Sequence, residues 1–422
     1  MTLFKNKKIV VMGLGLHGGG ASVAKFFAKQ GADVLITDLK TKEQLSDSIK
    51  KLKGLKISYT LGGHKEDDFL NADLIVKNPD VPNSSPYLEI ARKNNIEIQT
   101  DTSLFFKLSG AFIIGVTGTK GKSTTASLIF HLLKPKFKRL FLAGNIGISP
   151  LEILPKIKKG DKVVLELSSF NLEDLKQSPN IAVVTNILPD HLNRYSSMQE
   201  YINSKKIIFK YQTEKDYLLL NKEMDDIVRQ FAKQAKSKVR FFSGQYNKAN
   251  IAAAVEVAKI MGVSEKGIKK SLKTFKGVHS RQEFIKEIKG AKYFNDTTAT
   301  MPEAVIAAIK SFSENFPKAK LIFISGGENK GLDYSGMAKE IKDRVGELIM
   351  LPGTASDKIK QKLQNYKNIH EVSSMEEAVG KAKELAKPGD VVALSPGAAS
   401  FNLFKNEFDR GSQFVKFVKK QK

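Results

Sequence analysis

The sequence predicts an α/β protein of three domains with mostly parallel sheets, and three observations carry that reading. The chain is 422 residues long, apolar strand-like runs alternate with amphipathic helical segments from end to end, and two separate glycine-rich turns each follow an apolar run. A chain of this length exceeds what one hydrophobic core organises, and typical domain sizes suggest about three cores. Strands alternating with helices are the pattern of parallel sheets covered on both faces.

The first block, residues 1–108, opens with the strand KKIVVMG, a helix through SVAKFFAKQGA and the strand DVLITD. The strand ADLIVKN then leads into the loop NPDVPNSSPY, a helix near LEIARKNN and the short strand IEIQT. Gly13, Gly15 and Gly18 form GxGxxG after the first strand, and Asp38 closes the next strand 20 residues later. That is the fingerprint of a Rossmann-like, dinucleotide-type turn. Taken alone it suggests an NAD(P) enzyme. No acid–base constellation for hydride transfer accompanies it, however, and the same turn suits the diphosphate of a UDP-linked ligand.

The second block, 109–277, begins with AFIIGVTG and has further buried strands at 162–169 and 181–187, then a helix in NKANIAAAVEVAKIMG. GVHSRQEF reads as its connection onward. The third block, 278–422, has strands at KLIFISGG, GELIMLPG and DVVALSPG with helices between them, and reads as a second Rossmann-like α/β unit.

Composition narrows the function classes. The apolar fraction is 41%, and no apolar run reaches the ~20 residues of a membrane span. The N-terminal residues run directly into a strand, so no signal peptide is expected and the cytoplasm is the expected location. Absence of cysteine excludes disulfides and thiolate metal sites. The formal net charge of +25 raises nucleic acid as a partner. Yet the lysines are dispersed among acids and no nucleic-acid motif occurs, so the bland reading is a Lys-rich surface suited to small polyanions.

The residues that can do chemistry centre on GTKGKST, Gly118, Thr119, Lys120, Gly121, Lys122, Ser123 and Thr124. Between a strand and a helix, such a turn surrounds phosphate oxygens with backbone N–H groups. Lys122 would reach the outer phosphates, and Ser123 or Thr124 would offer a hydroxyl to Mg²⁺. Val116 stands where the longer form of the motif has its first glycine, so this is a shortened phosphate loop for ATP. Glu166 ends the apolar run VVLE, where a carboxylate can share a metal with phosphates. His191 lies in a Pro–Asp–His loop after another apolar run, and by itself is equally well a surface histidine.

Together these segments resemble the Mur ligases across nearly the whole chain. The resemblance rests on GTKGKST, GNIG, ELSSFNLE, DHLNRY, NKAN, Arg281-Gln282-Glu283, NDTTAT, SGGENKGLD and SPGAASFNLFKNEFDRG, in that order. It implies a three-domain fold with a UDP-substrate domain, a central P-loop ATPase domain and an amino-acid-binding domain. It also implies an ATP- and Mg²⁺-dependent amide ligase of peptidoglycan precursor synthesis. Such an enzyme would join D-glutamate to UDP-N-acetylmuramoyl-L-alanine through an acyl phosphate. By the same resemblance Lys122 would stabilise the transferring phosphoryl group, and Ser123 and Glu166 would hold one Mg²⁺. His191 and Lys205, the latter as a carbamate, would hold a second. Asn250, Arg281 and Asp296 would surround the nucleoside of ATP. Leu16, His17, Asp38, Asn145 and Ser168 would line the UDP-substrate site, and Thr300, Lys330 and Ser400 the amino-acid site. The chain would act as a monomer on small molecules, with no nucleic acid and no membrane span.

Several positions depart from the family pattern. Thr298 stands where a lysine is expected and Met301 ends the NDTTAT-M segment; Lys120 replaces an asparagine, His17 a small hydroxyl residue and Asp80 a glycine. Glu407 replaces an aromatic residue near the amino-acid site. These bear on the choice of amino acid more than on the reaction. Two alternatives follow: a sister ligase that uses another amino acid, and a basic ATPase stimulated by nucleic acid.

Overall fold

A computed structural model of the chain describes residues 3–15, 19–190, 194–244, 246–275, 277–329, 331–400 and 403–421. Two compact units emerge, Met1–Phe275 and Lys276–Lys422. The first holds two sheets and the second holds one.

The first sheet contains β1 (Lys8–Met12), β2 (Asp33–Asp38), β3 (Ile57–Leu61), β4 (Leu74–Lys77) and β5 (Glu97–Gln99). They lie in the order β3-β2-β1-β4-β5, all parallel. Strand side chains alternate between faces, so Ile9 and Val11 enter one apolar cluster and Val10 and Met12 another. That is why β1 reads as an unbroken apolar run.

The second sheet contains β6 (Phe112–Thr117), β7 (Leu140–Gly144), β8 (Lys162–Glu166), β9 (Ile181–Val184), β10 (Tyr217–Asn221) and β11 (Lys238–Phe242). Its order is β11-β10-β9-β6-β8-β7, again all parallel. The helices Lys122–Leu133 and Tyr246–Ile260 cover one face, packing Ala126, Ile129, Ala253 and Val257 on Ile114, Val116 and Val183.

The two sheets of this unit share an interior. The helix Asp101–Leu108 starts at a reciprocal capping box between Thr100 and Ser103, which satisfies two amides that a helix start leaves open. Its Leu104, Phe105 and Phe106 lie in the same cluster as Val11 of the first sheet, Phe27 of the helix Gly19–Lys29 that covers it, and Val163 and Leu165 of the second sheet.

The third sheet contains β12 (Glu283–Ile288), β13 (Ala291–Asn295), β14 (Leu321–Gly326), β15 (Glu347–Leu351), β16 (Ile369–Glu371) and β17 (Val391–Leu394). The order is β12-β13-β17-β14-β15-β16, and only β12 with β13 is antiparallel. Phe323, Leu348 and Ala393 face one core, and Ile322, Ile324 and Leu394 the other.

In each sheet the strand order reverses at one place: at β1 beside β4, at β6 between β9 and β8, and at β17 between β14 and β13. Crevices for ligands open at the carboxyl ends of such strands.

Candidate functional site

The phosphate loop fills the crevice of the second sheet. It leaves β6 at Gly118, whose φ of +150° and close approach to Thr185 exclude a side chain. A hydrogen-bonded cradle then fixes its backbone. The Thr119 amide donates to the Asn186 carbonyl at 3.0 Å and the Lys120 amide to Asn186 Oδ1 at 2.8 Å. In return Asn186 Nδ2 and Thr185 Oγ1 donate to the Lys120 carbonyl at 2.9 and 2.7 Å. Gly121, with φ +83°, starts the helix Lys122–Leu133, and a Cβ there would stand 2.3 Å from Asn250 Oδ1. Asn250 is buried and accepts from Thr125 Oγ1 at 3.2 Å. The Lys120 side chain is exposed at the rim.

Two lysines converge on one carbonyl. Lys122 Nζ donates to the carbonyls of Gly118 at 3.0 Å and Thr119 at 2.9 Å. Lys205, on the helix Met198–Lys210, is 1% exposed and also donates to the Gly118 carbonyl, at 3.1 Å. Burial, reinforced by the nearby Lys122 charge and opposed by Asp190, lowers the Lys205 pKa to about 7. Lys205 also lies over the Tyr201 ring at 4.6 Å, and the Tyr201 hydroxyl meets Thr119 Oγ1 at 3.0 Å.

Glu166 enters the same crevice from β8, in register with Val116 of β6. It is 1% exposed, and Oε1 accepts from Asn145 Nδ2 at 3.2 Å. Its Oε2 is buried with no hydrogen-bond partner among the described residues, as is Thr117 Oγ1. A buried carboxylate oxygen left so is costly unless something cationic meets it. Ser123 is buried in the first turn of the adjoining helix. No group of three His, Cys, Asp or Glu side chains forms a cluster among the described residues. An oxygen-poor protein set of this kind fits Mg²⁺, which takes few protein ligands and completes its shell with phosphate and water. His191 lies outside the described residues.

In the first crevice Asp38 is 5% exposed and already engaged. Its Oδ2 accepts from the amides of Leu14 and Gly15 at 2.9 and 3.1 Å, and Oδ1 from that of Lys40 at 2.9 Å. Asp38 therefore shapes the glycine turn from below. Gly13 and Gly15 face Asn78 across the reversal, at 3.0 and 3.4 Å from where a Cβ would sit. Leu16 and His17 lie outside the described residues. Ser168 caps the short helix Ser169–Leu172, accepting from the Asn171 amide at 3.1 Å and donating to Asn171 Oδ1 at 2.6 Å.

The second unit gathers its own loops at the carboxyl end of its sheet. Asp296 follows β13, is 6% exposed, and accepts from Ser395 Oγ at 3.0 Å and the Gln282 amide at 3.1 Å. Burial pushes its carboxyl up to about 7, against the Ser395 and Gln282 hydrogen bonds and the Arg281 charge. Arg281 sits in a tight turn between Ser280 and Gln282, both with positive φ. The loop of Thr300 is tied to that of Ser400 by the Gly397 amide donating to the Ala299 carbonyl at 2.7 Å. Ser400 is buried, and Ala399 forms a two-way backbone bridge with Glu328. Lys330, two residues after Glu328, lies outside the described residues. Thr298, where a lysine is expected, donates its hydroxyl to the Ser280 carbonyl at 2.8 Å.

Two sets of residues escaped the sequence reading. Thr185 and Asn186 fix the phosphate loop, and their signal was a polar pair directly after the apolar run IAVV. Arg410 is completely buried and donates to the Thr297 hydroxyl and carbonyl at 3.1 and 2.9 Å and to the Ala398 carbonyl at 3.1 Å. Burial lowers its pKa to about 10. As one more cation in a charged helix it gave no signal.

A phosphate loop at the reversal of a central parallel sheet, with a dinucleotide-type sheet before it and a mixed sheet after it, defines a class, the multidomain phosphate-loop ligases. The chain belongs to the Mur ligase family. Family models match in order along it: the MurD-like N-terminal domain over residues 7–100, the Mur ligase middle domain over 116–281 and the Mur ligase glutamate ligase domain over 280–397. The UDP-N-acetylmuramoylalanine–D-glutamate ligase of Roseiflexus sp. (strain RS-1) is 40% identical over 463 aligned positions, covering 98% of each chain. Among solved structures, the UDP-N-acetylmuramate–alanine ligase MurC of Thermotoga maritima has the same fold, with a TM-score of 0.64 at 20% identity over 98% of this chain and 99% of that one. The MurF ligase of Thermotoga maritima, solved in complex with ADP, gives a TM-score of 0.59 at 18% identity over 99% and 96%.

Proposed function

We propose that this ligase uses ATP and Mg²⁺ to join D-glutamate to UDP-N-acetylmuramoyl-L-alanine in the cytoplasm, as a monomer without nucleic-acid partners. The observation that carries the reading is full-length similarity to a D-glutamate ligase, 40% identical over 98% of both chains. We assign residues 1–108 to the UDP substrate, 109–277 to ATP and 278–422 to the amino acid.

The residues then have definite tasks. Amides at the start of the helix Lys122–Leu133 receive the phosphates, while those of Thr119 and Lys120 stay with Asn186 and hold the turn open. Lys122 exchanges its two carbonyl partners for phosphate oxygens and stabilises charge as the phosphoryl group passes to the alanyl carboxylate. The D-glutamate amine attacks the acyl phosphate carbonyl, a proton leaves nitrogen, and phosphate departs as the amide bond forms. Ser123, Glu166, His191 and Lys205 would hold Mg²⁺, which supplies charge neutralisation at the phosphates when bound. Lys205 is a buried amine beside a second cation, a setting that favours the neutral form able to add carbon dioxide and become a carbamate. Asn250, Arg281 and Asp296 would meet the nucleoside, and Asp38, Asn145 and Ser168 would shape the UDP-substrate site together with Leu16 and His17. Thr300, Lys330 and Ser400 would hold D-glutamate.

The test is phosphate release by the purified protein with ATP, Mg²⁺, UDP-N-acetylmuramoyl-L-alanine and a panel of D- and L-amino acids. Turnover restricted to D-glutamate is expected. Turnover with a different amino acid alone would move the substrate and keep the ligase, whereas turnover only with polynucleotide would overturn both. For Lys205, activity is expected to fall in carbon-dioxide-depleted buffer and return with bicarbonate.

A further inference from the structure

The crevice of the first sheet and the phosphate loop belong to one compact unit, and a polar clasp joins them. Lys77, the last residue of β4, is fully buried, with Nζ 2.8 Å from an Asp174 carboxylate oxygen and donating to the Val81 carbonyl at 3.2 Å. Asn83 Nδ2 donates to the other Asp174 oxygen at 3.1 Å. Arg194 donates to the carbonyls of Asp80 at 2.8 Å and Pro79 at 3.1 Å and to Glu173 at 3.2 Å, with its guanidinium 4.1 Å from the Phe170 ring centre. The loop 79–83, which begins one residue after Asn78 of the first crevice, is thus held by Asp174 and Arg194, with Glu173 bracing Arg194.

Each grip runs back to the phosphate site. Glu173 and Asp174 follow Glu166 through the short helix Ser169–Leu172. Arg194 and Tyr195 lead into the helix that carries Lys205. The Tyr195 hydroxyl donates to Glu173 at 2.5 Å, and its ring lies 5.3 Å from that of Tyr201, whose hydroxyl meets Thr119 of the phosphate loop. A lysine buried without its counter-ion is strongly unfavourable, so the Lys77–Asp174 pair specifies one register between the lobes where an apolar contact would allow sliding.

We propose that Lys77, Asp174 and Arg194 are positioning residues. They hold loop 79–83 in fixed register with Glu166 and Lys205, so that a carboxylate carried by the ligand of the first crevice arrives at the phosphate loop. The kinetic arm of this proposal rests on the ligase reading; its structural arm does not. In the full-length enzyme Arg194→Met is expected to lower kcat at least tenfold while KM for ATP stays within twofold, because the loop that binds ATP is untouched. Arg194→Lys keeps the charge without the forked set of bonds and should behave like Arg194→Met; full recovery with lysine would reduce the residue to a charge and overturn the proposal. Amide hydrogen exchange of the same variants, and of Lys77→Met where it folds, should rise together in residues 79–83 and 173–174 and stay unchanged in β1. A folded Arg194→Met enzyme with kcat within twofold of the parent, or with exchange unaltered at either grip, would sink the idea. Should the parent release no phosphate with UDP-N-acetylmuramoyl-L-alanine, ATP and D-glutamate, the ligase reading fails and the exchange pattern alone decides the clasp.

Discussion

At Gly121 the backbone takes φ +83° and leaves no room beside Asn250, two independent reasons for glycine at one position. Gly121→Ala is expected to cost about 1–3 kcal/mol of stability through backbone strain alone. It should also raise KM for ATP at least tenfold by displacing the first turn of the helix; thermal unfolding and an ATP titration read the two effects separately. On the proposed assignment Lys122→Met removes the cation that stabilises the transferring group, and phosphate release should fall roughly 10²–10³-fold with the fold intact. Asp296 makes a pH prediction. Its folded pKa, about 7, exceeds the ordinary 3.8, so the folded protein holds the proton more tightly than the unfolded chain. The stability this adds is fully present below about pH 4 and is lost as pH rises through about 7, at most about 4 kcal/mol. Unfolding curves of the second unit should therefore weaken over that window, and Asp296→Asn should flatten the dependence. The phosphate loop and Glu166 were legible from sequence because their spacing encodes the backbone they need. Asp38 was legible as a partner of the glycine turn, but its saturation by three amides depends on how close the turn folds over it.

At the scale of elements, strands buried on both faces announced themselves: KIVVM, FIIGVT and LIFISG are continuous apolar runs. Partly exposed strands were less regular: the sequence marked β5 in IEIQT but not β3 or β11. In β3, ISYTL, no residue is fully buried, and β11, KVRFF, carries one buried residue at its end. The antiparallel β12–β13 pair lies at an edge and carries a bulge between Phe284 and Lys286, and only its first residues, Glu283 and Phe284, fall in the segment read as a connection. Arg410 was illegible for a related reason, since two of its bonds go to Thr297, more than 100 residues earlier in the chain. Replacing it with methionine would strand the Thr297 and Ala398 carbonyls inside the protein, at about 1–3 kcal/mol for each unsatisfied group. Arg410→Met is expected to lower the melting temperature of the second unit and to raise KM for the amino acid more than KM for ATP.

For the whole molecule, three α/β blocks were readable from sequence, and the described residues form three sheets. Their grouping was not readable. It depends on Leu104, Phe105 and Phe106 filling space between two sheets, and an apolar helical face does not announce which partner it will meet. The second unit, by contrast, has its own pair of cores. Residues 276–422 expressed alone should fold to an α/β domain with a cooperative thermal transition, checked by circular dichroism; a molten product would show that this unit borrows its order from elsewhere.

The helix Asp101–Leu108 has one further consequence, for recombination. Its contacts are reinforced by Ser149 donating to Asp101 at 2.8 Å, and beside it Ser22 of the helix Gly19–Lys29 donates to Glu152 of the helix Pro150–Ile153 at 2.5 Å. A chain nicked between Ser109 and Gly110 would leave two pieces that stay together and should reassemble when mixed. Grafting the first lobe of a relative onto this chain therefore transplants half of an interior, and a chimera will work only where the donor also brings side chains that fit the Pro150–Ile153 helix.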